Sequence, residues 1–193
     1  MITTKKELEY YLERDAIALR THGRKRPKLF GDEIWKFQIT LRKAEYYQNL
    51  YKNSKKQYFF HYAWYKFMLH KRSIMLGFSI PVNVAGPGFS IAHYGTIVIN
   101  PAAKIGKNCR IHVDVNIGAT GGSKAAPQIG DNVYIGPGAK IIGDITIADD
   151  VVIGAGAVVV KSITEKGVTY GGVPAKKISS NNSHAHLAPE LLE

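Results

Sequence analysis

The segment Tyr134-Ile135-Gly136-Pro137-Gly138-Ala139-Lys140-Ile141-Ile142-Gly143-Asp144-Ile145-Thr146-Ile147 places isoleucine at positions 135, 141 and 147, six residues apart. The same register continues on both sides, from position 99 to position 159, and only Ser123 breaks it. Its aliphatic members are Ile99, Ile105, Ile111, Ile117, Ile129, Ile135, Ile141, Ile147, Ile153 and Val159. An α-helix repeats its apolar stripe about every 3.6 residues and an isolated strand about every two, so a period of six fits neither. It is typical of a parallel β-helix, in which each short strand contributes one inward aliphatic residue and small residues form the corners.

Three hexapeptides make one triangular coil, and stacked coils bury a column of isoleucine that a single repeat could not bury alone. We therefore predict a mainly β fold, with a parallel β-helix of hexapeptide repeats over residues 78–180. The register is loose before Ile97, so we expect a distorted first coil. Between Ile117 and Ile129 the spacing is twelve, and the Gly/Ala-rich stretch Ala119 to Pro127 is expected to leave the coil as a loop. Such loops on a rigid scaffold commonly carry function.

The formal net charge of +11 belongs to the N-terminal part of the chain. Residues 1–78 contain 17 Lys+Arg against 7 Asp+Glu, which gives +10, and the remaining residues contain 9 against 8, which gives +1. A solvated surface, attraction for the phosphates of CoA or of a lipid-linked acceptor, and nucleic-acid binding are the competing interpretations. No known nucleic-acid motif accompanies the charge, so we expect no nucleic-acid partner.

Residues 1–77 are predicted to form a small, basic helical region with three helices. The first begins at Thr3 or Thr4 and ends near Gly23, and the second runs from about residue 32 to 50. The third, residues 55–76, is dense in aromatic side chains interleaved with basic ones. A helix of this kind can contact an anionic membrane surface peripherally, but we favour packing of its aromatics against the β-helix and neighbouring subunits.

The remaining features of the sequence exclude several classes of function. The N-terminus is polar and no apolar run reaches about 18 residues, so we expect a cytoplasmic protein. Cys109 precedes a coil strand and is expected to be a wall residue, not a nucleophile. No Cys/His cluster has zinc spacing, and no metal is expected. Residues 181–193 are predicted to form a polar C-terminal tail in which His184 and His186 are solvated, and the stretch from Ser180 to His184 is expected to be disordered or weakly held.

Three segments connect the repeat to a known family. They are His93-Tyr94-Gly95-Thr96-Ile97-Val98-Ile99, the turn from Gly118 to Gly122, and Gly172-Val173-Pro174-Ala175-Lys176. Together with the repeat they resemble the hexapeptide-repeat acyltransferases over about residues 77–180, in the serine acetyltransferase-like branch, which includes many O-acetyltransferases of bacterial surface polysaccharides. The resemblance implies a left-handed coil, a homotrimer with active sites between subunits, and acetyl-CoA as co-substrate.

The resemblance also assigns candidate roles to individual residues. His93 occupies the place of the catalytic general base, and histidine suits this role near neutral pH. His112 is its rival, although it follows the inward Ile111 and should point outward. The residues that take the places of CoA contacts are Pro137, Ala155, Lys161 and Lys176. Apart from the resemblance, Asp114 and Asn116 are candidates to orient His93 because they are close to it in the wall. Candidate contacts to the hydroxyl-bearing acceptor are Tyr94, Asn83 and Asn116.

The departures from the family pattern bear on the acceptor. Alanine stands at 92, where the resemblance expects an Asp, and Ser79 stands at the place of a second Asp. Ala125-Ala126 replaces the Arg-His pair that grips the carboxylate of serine in the family. Without these charged residues, the ammonium and the carboxylate of free serine have no oppositely charged partners. The sequence therefore favours a sugar hydroxyl of a surface polysaccharide or its precursor as the acceptor.

Three alternatives remain open at this stage. The first is serine O-acetylation, and the second is a β-helix that serves as a scaffold without catalysis. The third is N-acetylation of an amino-sugar nucleotide, which is less favoured because the motifs belong to the hydroxyl-acylating branch. A direct attack of the hydroxyl on the thioester is expected, because no Cys or Ser is placed with an activating base. A backbone amide of the turn from Gly118 to Gly122 is the candidate donor for the oxyanion.

Overall fold

The computed structural model describes residues 1–54 and 56–192. The chain begins with three helices: α1 (Lys5–Ala18), α2 (Glu33–Ser54) and α3 (Phe59–Leu76). The hydroxyl of Thr4 accepts from the backbone N–H of Glu7 at 3.2 Å, and the carboxylate of Glu7 accepts from the N–H of Thr4 at 2.9 Å. This reciprocal pair fixes the start of α1 where the sequence predicts it. No helix among the described residues is both long and apolar enough to span a bilayer.

The rest of the chain forms short strands that pack into three sheets. The strands are β1 (Phe78–Ser79), β2 (Ser90–Ile91), β3 (Ile97–Ile99), β4 (Lys104–Ile105), β5 (Arg110–Ile111), β6 (Val115–Gly118), β7 (Gln128–Ile129), β8 (Tyr134–Ile135), β9 (Lys140–Ile142), β10 (Thr146–Ile147), β11 (Val152–Ile153), β12 (Val158–Val159), β13 (Thr169–Gly171) and β14 (Lys176–Ser179). The first sheet has the order β1-β3-β6-β9-β12, the second β10-β7-β4 and the third β14-β13-β11-β8-β5-β2. The pairs are parallel except β13–β14.

From β3 to β12 the chain visits the three sheets in rotation, so that residues 18 apart stack on one another, as Ile135 does on Ile153. The register isoleucines point into the space between the sheets, where Ile111, Ile135 and Ile141 have no exposed surface. Removal of these side chains from water is the main source of stability in such a stack. The hexapeptide-repeat fold predicted from the sequence is confirmed.

Two insertions interrupt the spacing of 18, and both lie where the sequence predicts irregularity. Ile91 pairs with Ile111, 20 residues on, whereas Ile97 pairs with Val115, 18 residues on. The corner that carries His93 therefore contains two extra residues. Ile117 pairs with Ile141, 24 residues on, so that six extra residues form the loop at 119–127.

A buried network of charges joins the helices to the first coil. Arg42 of α2 is fully buried and donates to the carboxylate of Asp15 at 2.7 Å and to that of Glu45 at 3.0 Å. Its remaining N–H groups donate to the backbone carbonyls of Ala85 at 2.8 Å and Gly86 at 2.6 Å. The guanidinium thus joins α1, α2 and the coil, and its donors are taken up by two carboxylates and two backbone carbonyls.

Helix α3 packs on α2 but exposes most of its aromatic side chains. Phe60 is 81%, Trp64 59% and Ile74 70% exposed, and Leu76 is the buried residue of the helix. These three side chains do not pack against the chain's own sheets, which corrects that part of the prediction. Packing between copies of the chain and contact with a membrane surface both stay predictions. Lys55, with which the predicted helix begins, lies outside the described residues.

The expectation of a weakly held C-terminal tail is wrong. Ser183, Leu187 and Leu191 are buried, and the tail forms two short 3-10 turns, His184–His186 and Pro189–Leu191. The carbonyl of Leu191 accepts from Arg14 at 2.8 Å. The tail is held because it covers apolar surface on α1 and meets a ladder of hydrogen-bonded corner side chains, in which Asn108 donates to Asn132, and Asn132 to Asp150, each at 2.8 Å.

Candidate functional site

His93 and Tyr94 are the two inserted residues at the corner between the third and the first sheet, and both are exposed. Gly95 closes this corner with a φ of +128°. A Cβ at Gly95 would lie 2.5 Å from Cγ2 of Val113, so only glycine fits there. The insertion therefore projects His93 outward from an otherwise regular wall.

Two of the residues predicted to contact CoA lie on the same corner as His93. Ile91, Ile111, Ile135 and Ile153 stack in register, and Pro137 and Ala155 each follow their isoleucine by two residues, as His93 does. Because neighbouring strands are about 4.8 Å apart, Pro137 lies roughly two coils and Ala155 three coils from the level of His93. Both are exposed, and the half-buried Val113, which follows Ile111 by two residues, lies on the coil between them and His93. This corner therefore carries a line of small side chains that leads to the imidazole.

Lys161 and the 119–127 loop lie at a different corner, between the first and the second sheet. Lys161 follows Val159 by two residues, and Val159 stacks on Ile141, which stacks on Ile117 just before the loop. About six residues of strand separate the two corners, or ~20 Å. Lys176 is exposed on β14, paired with Gly171 at the end of the third sheet. One copy of the chain therefore does not bring Lys161 or the loop to His93.

A ladder of rings extends from His93 across successive coils. The ring centroids of His93 and His112 are 5.7 Å apart, those of His112 and Tyr134 5.2 Å, and those of Tyr134 and His186 4.3 Å. Burial lowers the pKa of His112, and the positive charges of Arg110, His93 and His186 lower it further. His112 points outward as predicted, and lies beside His93. His186 is exposed, as predicted, and its ring also stacks on Tyr134.

A cavity of about 530 Å³ opens beside this corner, between the third sheet and the helical region. Tyr94 and Ala92 line it on the side of the coil, and Trp35 and Leu76 on the side of the helices. Its volume falls in the range of small-molecule sites. The structure therefore places Ala92 and Tyr94, the two chain neighbours of the predicted base, in the wall of a pocket that the helices help to form.

The other candidates have structural partners. The side-chain amides of Asn83 and Asn49 exchange two hydrogen bonds of 3.0 Å, at a corner away from His93. Asn116 lies in the first sheet, in register with Val98 and Lys140. The carboxylate of Asp114 accepts from Lys140 at 2.8 Å and is thereby occupied. The structure does not bring Asn83 to the candidate base, and Asp114 is paired elsewhere.

Cys109 is buried, and burial raises the pKa of its thiol to about 12, which makes it inert as a nucleophile. Among the described residues no group of three His, Cys, Asp or Glu side chains is arranged to hold a metal ion. The candidate chemistry therefore centres on histidine and on the neighbouring basic groups.

Sequence reasoning missed three residues near the base: Arg110, Tyr134 and His186. Arg110 and Tyr134 each precede a register isoleucine and pair with each other across the third sheet. That position faces outward, so a large polar residue there was a usable signal. His186 had no such signal, because it reaches the coil only through the docked tail.

Comparison with known proteins agrees with the fold and the family resemblance. A family model described as bacterial transferase hexapeptide (six repeats) matches residues 126–161. A serine acetyltransferase of Mycobacterium tuberculosis is 40% identical over 111 residues, which are 56% of this chain and 48% of the relative. One from Buchnera aphidicola is 37% identical over 139 residues, 66% of this chain and 53% of the relative. The chain thus spans about half the length of these curated relatives.

A solved structure of serine acetyltransferase from Brucella abortus, in complex with Coenzyme A, superimposes with a TM-score of 0.72 at 27% identity, over 92% of this chain and 70% of that one. The two curated relatives and this structure are serine acetyltransferases. This finding overturns the prediction of a polysaccharide sugar as acceptor and favours the alternative that the sequence left open. The missing cations at positions 125 and 126 are a weak argument against serine, because a cation elsewhere can bind a carboxylate in their place.

Proposed function

We propose that the chain, which is similar to the hexapeptide-repeat transferases and to serine acetyltransferases, transfers an acetyl group from acetyl-CoA to the hydroxyl of serine. The observation that carries the proposal is the corner of the coil, where His93 lies in line with Pro137 and Ala155 and where its neighbours Ala92 and Tyr94 line the cavity. This arrangement supplies a base, a track for an extended thioester and a separate pocket for the acceptor.

In the proposed reaction His93 acts as the general base. One nitrogen of its imidazole takes the proton of the serine hydroxyl while the hydroxyl oxygen attacks the thioester carbonyl. Collapse of the tetrahedral intermediate breaks the C–S bond, and the imidazolium returns the proton to the departing thiolate. A backbone N–H near the carbonyl oxygen would stabilise the negative charge that develops there. The reaction then needs no covalent intermediate on the protein.

We further propose that the coil is a left-handed β-helix and that three copies assemble into a trimer. The split of the candidate residues between two corners supports this assembly, since Lys161 and the 119–127 loop lie ~20 Å from the corner of His93 in one copy. In a trimer of such coils the second corner of one subunit faces the first corner of its neighbour. Lys161 and Lys176 would then neutralise the phosphates of CoA.

The experiment is a thiol-release assay with acetyl-CoA, with and without L-serine. We expect serine-dependent release, and a loss of about 10²- to 10⁴-fold in kcat for His93→Ala. The matched control is His70→Ala, which removes an exposed imidazole from α3 and should retain parental activity.

Two results would contradict the proposal. Undiminished release by His93→Ala would remove His93 from the role of base. A parent protein that releases no thiol in response to serine would remove serine as the acceptor, and absence of release with any hydroxyl compound would favour the scaffold alternative.

A further inference from the structure

The cavity beside Tyr94 is lined by four charged side chains, and three of them are neutralised by partners. Arg24 forms an ion pair with Asp32, whose carboxylate also accepts from the backbone N–H of Lys28 at 2.9 Å. Glu33 is held by Lys36 at 2.7 Å and by Arg72 at 3.5 Å. These three residues have their charges balanced within the helical region.

The fourth is Arg110. Over residues 1–54 and 56–192, its side chain makes neither an ion pair nor a hydrogen bond, although it is half-buried in the cavity wall. Burial lowers the pKa of Arg110, and the positive charge of Arg20 lowers it further. Partial burial of a guanidinium without a counter-ion costs free energy, and binding of an anion would offset that cost.

The position of Arg110 relates it to the candidate base. It pairs with Ser90 on β2, two residues before Ala92, and its charge acts on His112, whose ring is 5.7 Å from that of His93. An anion held by Arg110 would therefore lie in the pocket whose wall contains Ala92 and Tyr94, the residues on either side of His93. Ala92, which lines this pocket, contributes no charge of its own to it.

We propose that Arg110 binds the carboxylate of the acceptor, in the cavity beside Tyr94, and so orients the acceptor hydroxyl toward His93. The inference rests on the proposed function and names the group that selects its substrate class, a hydroxyl compound with a carboxylate. Guanidinium and carboxylate match as a bidentate pair, which fixes orientation as well as adding affinity. Arg110 is thus a specificity-determining residue and takes no part in the proton transfer.

The kinetic test compares L-serine with ethanolamine, which lacks the carboxylate. Arg110→Gln should raise the KM for serine about 10- to 100-fold, the range for loss of a hydrogen bond to a charged group, and should bring the serine-to-ethanolamine ratio of kcat/KM toward one. Arg110→Lys should recover part of that ratio. Lys107→Gln, an exposed cation on the preceding turn that pairs with Asp131, is the matched control and should keep the parental ratio. An unchanged ratio in Arg110→Gln would overturn the inference.

A binding measurement separates failure of this inference from failure of the proposed function. The ring signals of His112 in NMR spectra report a carboxylate near Arg110, and the probes are L-serine, glycolate and ethanolamine. We expect L-serine and glycolate, but not ethanolamine, to shift these signals in the parent and not in Arg110→Gln. If glycolate shifts them while serine is not acetylated, the proposed acceptor is wrong and the role of Arg110 stands. If neither carboxylate shifts them, the role of Arg110 is wrong whatever the enzyme acetylates.

Discussion

Two arginines lie between the helical region and the coil, and they differ in whether the chain supplies partners for their guanidinium groups. Arg42 is fully buried and donates to Asp15, to Glu45 and to two backbone carbonyls. Arg110 is half-buried, lines a cavity and has no such partner among the described residues. A charge whose partners are all within the chain holds the fold together, whereas a charge left to the cavity is available to a ligand.

The same contrast separates the side chains around these arginines. Near Arg42, burial raises the pKa of Asp15 and Glu45, while the guanidinium lowers it and keeps the network salt-bridged. Near Arg110, the neighbours are the rings of His112 and Tyr134, neither of which is a carboxylate. We call the region of Arg42 the closed network, because its charges pair with one another inside the chain. We call the region of Arg110 the open region, because its guanidinium faces the cavity without such a partner.

The largest effect is expected from the closed network. Arg42→Leu would leave two buried carboxylates without a cation and should lower the free energy of unfolding by about 3–5 kcal/mol. Arg110→Leu should change it by less than about 1 kcal/mol, because no buried partner is left uncompensated. Urea unfolding of both variants, followed by circular dichroism at one protein concentration, measures the difference. Equal losses in the two variants would mean that the distinction between the arginines does not hold.

The coil could be predicted from the sequence because its signal is local and repeated. Each register isoleucine reports the same environment, and the breaks in the register mark the corner of His93 and the 119–127 loop. The network of Arg42 could not be predicted, because Asp15 and Ala85 lie 27 and 43 residues away and no spacing rule joins them. The cavity of Arg110 depends likewise on helices that pack against the third sheet from a distance in sequence.

The docked tail was misjudged for a related reason. Its polar composition is typical of a solvated segment, yet the burial of Leu187 and Leu191 and the hydrogen bond from Arg14 decide its position. Composition averages over residues, whereas docking depends on a few buried side chains. The stacking of His186 on Tyr134 follows from that docking.

Release of this tail should have an intermediate effect on the free energy of unfolding. It would also expose the surface beside Tyr134 that His186 covers. Leu191→Ala should cost about 2 kcal/mol in the free energy of unfolding, the low end for a buried leucine, because a chain end can relax around the gap. Leu192→Ala, on the adjacent and less buried residue, is the matched control and should cost well under half of that. Hydrogen exchange of residues 183–191 measures the release directly. Unchanged protection in Leu191→Ala would show that the hydrogen bonds, and not the leucine, hold the tail.

The smallest effect concerns the titration of His112 in the open region. Burial lowers its pKa first, and the charge of Arg110 lowers it next, so Arg110→Gln should raise this pKa toward the ordinary 6.5 while Lys107→Gln leaves it in place. Because the folded chain binds this proton more weakly than the unfolded chain, the stability that His112 contributes falls as the pH drops through about 6.5. The fall in stability should be shallower in Arg110→Gln.

NMR titration of the His112 ring measures the pKa, and urea unfolding at pH ~7.5 and ~5.5 measures how strongly the free energy of unfolding depends on pH. A pKa of His112 that stays the same or drops in Arg110→Gln would mean that the guanidinium is neutralised in the free protein, and the contrast with Arg42 would then disappear.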